Sequence, residues 1–101
     1  MNSQGSSVRK YECLFIVDPD AASARFDQVK TAIRQDIERF HGLLDKTEEL
    51  GQRVLGYAVR HCREGFYYLV QFSVEPQAIL EIKARYRINP DIVRFLVLAA
   101  E

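Results

Sequence analysis

The first apolar run, Lys10 to Val17 (KYECLFIV), is rich in strand-forming residues and stops at Asp18-Pro19-Asp20, a turn signal that also supplies helix caps. The period then changes. Phe26, Val29, Ile33, Ile37 and Phe40 recur at three- and four-residue steps with charged residues between them, and Gly42 follows as a stop, so an amphipathic helix is predicted. From Leu43 a strand pattern resumes, is interrupted at Leu50-Gly51, and continues from Gln52 to Arg60 through Val54, Leu55, Tyr57 and Val59. This is read as one long strand with a bend or bulge at Gly51. Residues 61–65 have the length of a hairpin connection, and the aromatic stretch ending at Val74 returns as the next strand. Glu75-Pro76 opens a second helix, which runs to about Arg87 on an inner stripe of Ala78, Ile79, Ile82 and Tyr86. Asn89-Pro90-Asp91 breaks it, and Ile92 to Leu98 (IVRFLVL) is the last strand. The order β-α-β-β-α-β predicts an α+β, ferredoxin-like sandwich: a four-stranded antiparallel sheet with two helices on one face and the other face open.

Strand side chains alternate between faces. Phe66, Tyr68, Val70, Phe72 and Val74 are the more continuously apolar set and are expected under the helices, leaving Tyr67, Leu69, Gln71 and Ser73 on the open face. The same parity sends Tyr11, Cys13, Phe15, Val17, Phe95 and Val97 inward, and Glu12, Leu14, Ile16, Arg94, Leu96 and Leu98 outward. Six large apolar groups would then lie where a monomer favours polar ones, which points to a partner surface, a dimer interface or a covering loop. Among them Tyr67 is the one ring able to stack on a base, too few for an RNA-recognition-type sheet. A one-residue slip would reverse all these assignments.

With 101 residues the chain suits one domain, taken as residues 9–101, with residues 1–8 as a disordered polar tail. The formal charge is zero, but Tyr11 to Glu49 carries five basic against nine acidic residues and Leu50 to Leu98 seven against four. A basic surface on the second half is therefore open to a polyanion. Cys13 and Cys62 are far apart without clustered histidines, so no metal, cofactor or disulfide framework is expected and a reducing cytoplasm is the default. Cys13 reads as a small buried hydrophobe. No apolar run is long enough to span a bilayer, and no membrane role is expected. Enzyme chemistry is not indicated either: there is no phosphate-cradling glycine loop or nucleophile elbow, and Glu48 and Glu49 are adjacent and so point to opposite faces. No small-molecule substrate is expected.

Arg9-Lys10-Tyr11-Glu12, the segment Glu48 to Val59 (EELGQRVLGYAV), Glu64-Gly65-Phe66-Tyr67-Tyr68 and Ile88 to Phe95 (INPDIVRF) together resemble the bacterial small-subunit ribosomal protein six family, over about Arg9 to Leu98. The resemblance implies a non-enzymatic, cytoplasmic protein of the small ribosomal subunit that binds the central domain of small-subunit rRNA together with small-subunit ribosomal protein eighteen. It implies that Gly51, Arg53, Leu55, Tyr57 and Val59 help form the partner and RNA surface, and that Arg9, Lys10, Arg87 and Arg94 are basic RNA contacts. With it, Arg53, Arg60 and Arg63 read as a phosphate-facing stripe. On residues alone they read first as charges guarding a strand edge, while Lys83, Arg85 and Arg87 read equally as complements to a helix dipole. Arginines on phosphates position a protein without reading sequence. Tyr67 and Leu69 join the expected protein-partner set from the open face. Val54, Ala58 and His61 depart from the family pattern, standing where relatives carry a basic residue, a proline and a lysine; the loss of cations at Val54 and His61 weakens the expected salt-dependent RNA affinity. The alternative reading is a self-associating ferredoxin-like module or scaffold without RNA function.

Overall fold

The computed structural model describes residues 7–59 and 62–100, with only the backbone described at 57–59. The expected tail up to residue 6, Arg60 and His61 lie outside the described residues, as do the side chains of Tyr57 and Val59. The elements are β1 (Arg9–Val17), α1 (Pro19–Arg39), β2 (Leu43–Val59), β3 (Cys62–Val74), α2 (Ile79–Arg87) and β4 (Ile92–Ala99). The strands form one antiparallel sheet in the order β2-β3-β1-β4, with both helices on one side. This is the ferredoxin-like arrangement expected.

Alternation decides the layers. Cys13, Phe15, Val17, Val70 and Phe72 are wholly buried beneath Ile37, Ile82 and Tyr86 of the helices. Removing a large apolar side chain of this kind from water contributes about 1.5–3 kcal/mol. Phe15 sits edge-on to Tyr86 with centroids 4.8 Å apart, Tyr86 meets Phe95 at 5.7 Å, and Phe26 meets both Phe66 at 4.8 Å and Tyr68 at 5.4 Å. The Tyr86 hydroxyl donates to the Ile33 carbonyl at 3.4 Å, which gives a buried polar atom a partner and ties α2 to α1.

Local chemistry sets the boundaries. The Asp18 carboxylate accepts from the N–H groups of Asp20 and Ala21, capping α1, with Pro19 in its first turn. At the other end Gly42 N–H donates to Ile37 O and His41 N–H to Glu38 O, a Schellman arrangement. The left-handed residue in it is His41 (φ 64°), one place before the glycine read as the stop. α2 begins later than expected, because Pro76–Ala78 forms a 3-10 turn ahead of it. Asn89 Oδ1 accepts from Asp91 N–H after α2, and the Asp91 carboxylate takes two hydrogen bonds from Arg25, where α1 is kinked.

β2 carries the expected bulge: Glu49 pairs with Tyr68 and Gly51 with Tyr67, leaving Leu50 extra, and Gly51 takes φ 98°, a conformation that costs other residues a steric penalty. The hairpin differs from the expectation. Residues 62–65 are not a loop but the start of β3, since Arg53 pairs with Gly65, Val54 with Glu64 and Val59 with Cys62. β1 stops at Val17 opposite Phe66, so this part of the hairpin overhangs the sheet. Gly65 is required at the overhang's root, because a Cβ there would collide with Ile16 Cγ2.

Asp36 is the one buried charged residue among those described, and Arg85 Nε donates to it at 3.2 Å across the two helices. Its side chain is 10% exposed and that of Arg85 42%. Arg85→Ala, which strands the carboxylate, is expected to cost about 1–3 kcal/mol. Adding Asp36→Asn should recover part of that loss in urea unfolding; no recovery would show that the pair carries no buried-charge penalty.

Burial pushes the Cys13 thiol up from 9.0 to about 12. Below 9.0 both folded and unfolded chains keep the proton and this group confers no pH dependence. Above it the unfolded chain ionises first, so stability falls by about 1.4 kcal/mol per pH unit until the native value is reached. Tyr86 and Tyr68 are also shifted upward by burial and steepen the same alkaline limb. Thermal melts should show Cys13→Ala losing stability less steeply than the parent between 9.0 and about 12. Parallel curves would refute the assignment.

Candidate nucleic-acid and partner interface

The helix-free side of the sheet is ordered in rows by the register. Arg94, Ile16, Tyr67 and Gly51 lie across the four strands in one row. Leu96, Leu14, Leu69 and Glu48 form the next, followed by Leu98, Glu12, Gln71 and Lys46. All six apolar residues expected on this side are there. Leu96 is 55% and Leu98 54% exposed, whereas Leu14, Ile16, Tyr67 and Leu69 are half-buried by one another. A shallow dent of about 250 Å³ is lined by Leu14, Ile16, Tyr67, Arg94, Phe95 and Leu96.

The polar groups bound this apolar strip on both ends. Arg53 belongs to this face, and its guanidinium lies over the Tyr67 ring at 5.9 Å from the centroid. By strand alternation Arg63 shares the face, further out on the overhanging hairpin. At the opposite end Gln71 Nε2 donates to Glu12 Oε2 at 2.9 Å, and Ser73 Oγ donates to Asp45 Oδ2 at 2.9 Å. The sequence reading missed the stacking of Arg53 on Tyr67, because the Gly51 bulge shifts the parity of β2 and a two-residue period cannot be carried across it.

The six described residues among the seven basic ones singled out from the sequence do not form one patch; Arg60 lies outside the described residues. Arg53, Arg63 and Arg94 gather at the hairpin end of the open face. Arg87 is at that end too but on the helix side, its guanidinium 5.9 Å from the Phe95 centroid. Arg9 and Lys10 are at the far end of β1, eight and seven residues from Val17, or roughly 23–26 Å along the strand. Of the expected partner residues, Tyr67 and Leu69 sit centrally on the open face and Leu55 is half-buried on the hairpin.

On the helix side, a 330 Å³ cleft between α1 and β2 includes Lys30, Arg34, Thr47 and Tyr68. Its cations are compensated, Lys30 by Glu49 at 3.0 Å and Arg34 by Glu38 at 4.0 Å, so it offers no surplus charge to a small anion. Glu49 raises the affinity of Lys30 for its proton, chiefly through that hydrogen bond. Among the described residues no three His, Cys, Asp or Glu side chains gather to hold a metal ion, and no helix is long and apolar enough to cross a membrane.

A family model described as ribosomal protein S6 matches residues 10–99. The small ribosomal subunit protein bS6 of Helicobacter pylori strain G27 is 33% identical over 94 residues, covering 93% of this chain and 66% of that protein. The chain thus spans just under two thirds of the length of such relatives. The bS6 of a Nitratiruptor species is 33% identical over 98 residues, covering 93% of this chain and 73% of that one. The crystal structure of 30S ribosomal protein S6 from Thermotoga maritima superposes with a TM-score of 0.84 at 27% identity, over 93% of this chain and 89% of that one. The C-terminal domain of the MgtC protein from Mycobacterium tuberculosis superposes at 0.64 with 15% identity over 100% of this chain and 95% of that domain, which shows a shared fold alone. The match from the start of β1 to the end of β4, a family named for a ribosomal protein and not for an enzyme, leads to one conclusion: the chain belongs to the ribosomal protein S6 family.

Proposed function

We propose that the protein is a structural component of the bacterial small ribosomal subunit, acting in the cytoplasm on the ribosome. In this reading it binds the central domain of small-subunit rRNA together with small-subunit ribosomal protein eighteen. The observation that carries the reading is the family match over residues 10–99. The geometry supports a division of labour. Arg53 occupies the space over the Tyr67 ring that a stacked base would need, so the open face suits a protein better than unpaired bases. RNA then falls to the cations around it. Arg53, Arg63 and Arg94 at the hairpin end, with Arg87 beside them, would meet phosphates, and Arg9 and Lys10 a second stretch of backbone beyond the reach of the first. Arg60 is assigned to the hairpin group by sequence position alone. Leu55, Tyr57, Val59, Tyr67 and Leu69 are the proposed protein contacts.

Titration of an rRNA central-domain fragment at several salt concentrations, with and without ribosomal protein eighteen, separates these roles. Arg63→Ala should weaken binding and reduce the slope of log K against log salt by roughly 0.7–0.9, one phosphate's worth of counterions. Leu69→Asp should leave binding to RNA alone unchanged and abolish the enhancement by the protein partner. An unaltered slope removes Arg63 from the RNA surface, and an unaltered enhancement removes Leu69 from the partner surface. Absence of the protein from small subunits on sucrose gradients of its own host would overturn the function as a whole.

A further inference from the structure

We propose that Tyr67 is a positioning residue for RNA: its ring and the Leu50 carbonyl hold the Arg53 guanidinium in place on the free protein, as a seat for one backbone phosphate. The seat rests on the RNA-binding function proposed above. The bulge in β2 builds it. Leu50 has no residue opposite it on β3, because Glu49 pairs with Tyr68 and Gly51 with Tyr67. The Leu50 carbonyl accepts a hydrogen bond from Arg53 Nη2 at 3.3 Å. Gly51, at φ 98°, permits this path of the chain; a Cβ there would meet nothing within 4 Å, so the backbone angle and not the space reserves the position for glycine. The same path brings the Arg53 guanidinium over Tyr67, 5.9 Å from the ring centroid. Tyr67 is half-buried in the sheet face whereas Arg53 is exposed, so the ring is the fixed member of the pair and the guanidinium the held one.

What holds Arg53 is a carbonyl and an aromatic face, and this decides what it can do. Arg25, Arg34 and Arg85 are each held by a carboxylate, at 2.7, 4.0 and 3.2 Å, which compensates their charge locally. No carboxylate among the described residues forms an ion pair with Arg53, so it is fixed without being neutralised. A guanidinium has five N–H donors. Leu50 takes one, and the others remain for the oxygens of a phosphate, whose geometry the planar fork matches. An arginine that is free in the unbound protein loses its rotamer freedom on meeting RNA, and one already held does not. The Tyr67 ring thus raises affinity for RNA without touching it.

A double-mutant cycle tests the seat, read by titrating an rRNA central-domain fragment with the full chain and no other protein at one salt concentration. Tyr67→Leu should stay folded by circular dichroism and weaken binding about three- to tenfold. Tyr67→Phe, which keeps the ring, should bind as the parent does. In an Arg53→Ala background, itself weaker than the parent, Tyr67→Leu should have no further effect. Without RNA, the Arg53 Nε–H resonance in NMR spectra should move in Tyr67→Leu and stay in Tyr67→Phe. Parent-like binding by Tyr67→Leu or by Arg53→Ala, or an unmoved Arg53 resonance, would overturn the seat and leave the RNA-binding reading standing. So would an equal loss from Tyr67→Leu in the Arg53→Ala background, which would put the ring itself on a base. A parent chain that does not bind the fragment overturns the RNA-binding reading, and the seat with it.

Discussion

Phe15 occupies the centre of β1, itself a central strand, and its ring lies edge-on against Tyr86 with Tyr68 and Phe95 on either side in the register. That contact clamps α2 to the sheet. Because strand side chains alternate, holding Phe15 inward also commits Cys13 and Val17 inward and Leu14 and Ile16 outward, and the pairing carries the choice to β3 and β4. A one-residue slip would expose this wholly buried ring and bury the outer row, so register is strongly held. The two-faced character of the molecule follows from this constraint.

The helix side satisfies its polar groups internally. Asp36 meets Arg85, Lys30 meets Glu49, Arg25 meets Asp91, and the clefts between them carry little unmatched charge. The helix-free side does the opposite, presenting leucines in its middle and arginines toward the hairpin end. An antiparallel sheet with one solvated face usually alternates apolar and polar cleanly. Here both faces of β1 and β4 are largely apolar, so covering the second one would remove further apolar area from water. A protein partner is proposed for these leucines, whereas phosphate contacts are proposed for the hairpin that overhangs them.

The overhang also explains why charges separate from the apolar strip. β1 ends at Val17, and beyond it β2 and β3 have only each other, so no core can form there and exposed Arg53, Arg63 and Glu64 are tolerated without burial cost. Gly65 marks the transition, since Ile16 fills the space its Cβ would need. The hairpin is thus a polar arm rooted in an apolar sheet.

Much of this was already present in residue order. Spacings of two and of three to four residues identify every strand and both helices, and the inward sets on β1, β3 and β4 follow from parity, because burial against a single layer imposes a strict period. Gly51 marked the bulge, and the motifs from Arg9 to Phe95 pointed to the family. Long-range geometry was not readable in the same way. The left-handed residue proved to be His41 because the cap is fixed by where Gly42 N–H finds the Ile37 carbonyl, and residues 62–65 joined β3 because β2 was there to pair with them. The bulge that the sequence announced turned Arg53 onto Tyr67, and the sheet order placed Arg9 and Lys10 far from Arg94 despite their common chemistry. Local period is written in neighbouring residues, but which charges share a surface depends on strand order and register, and those arise from contacts between segments distant along the chain.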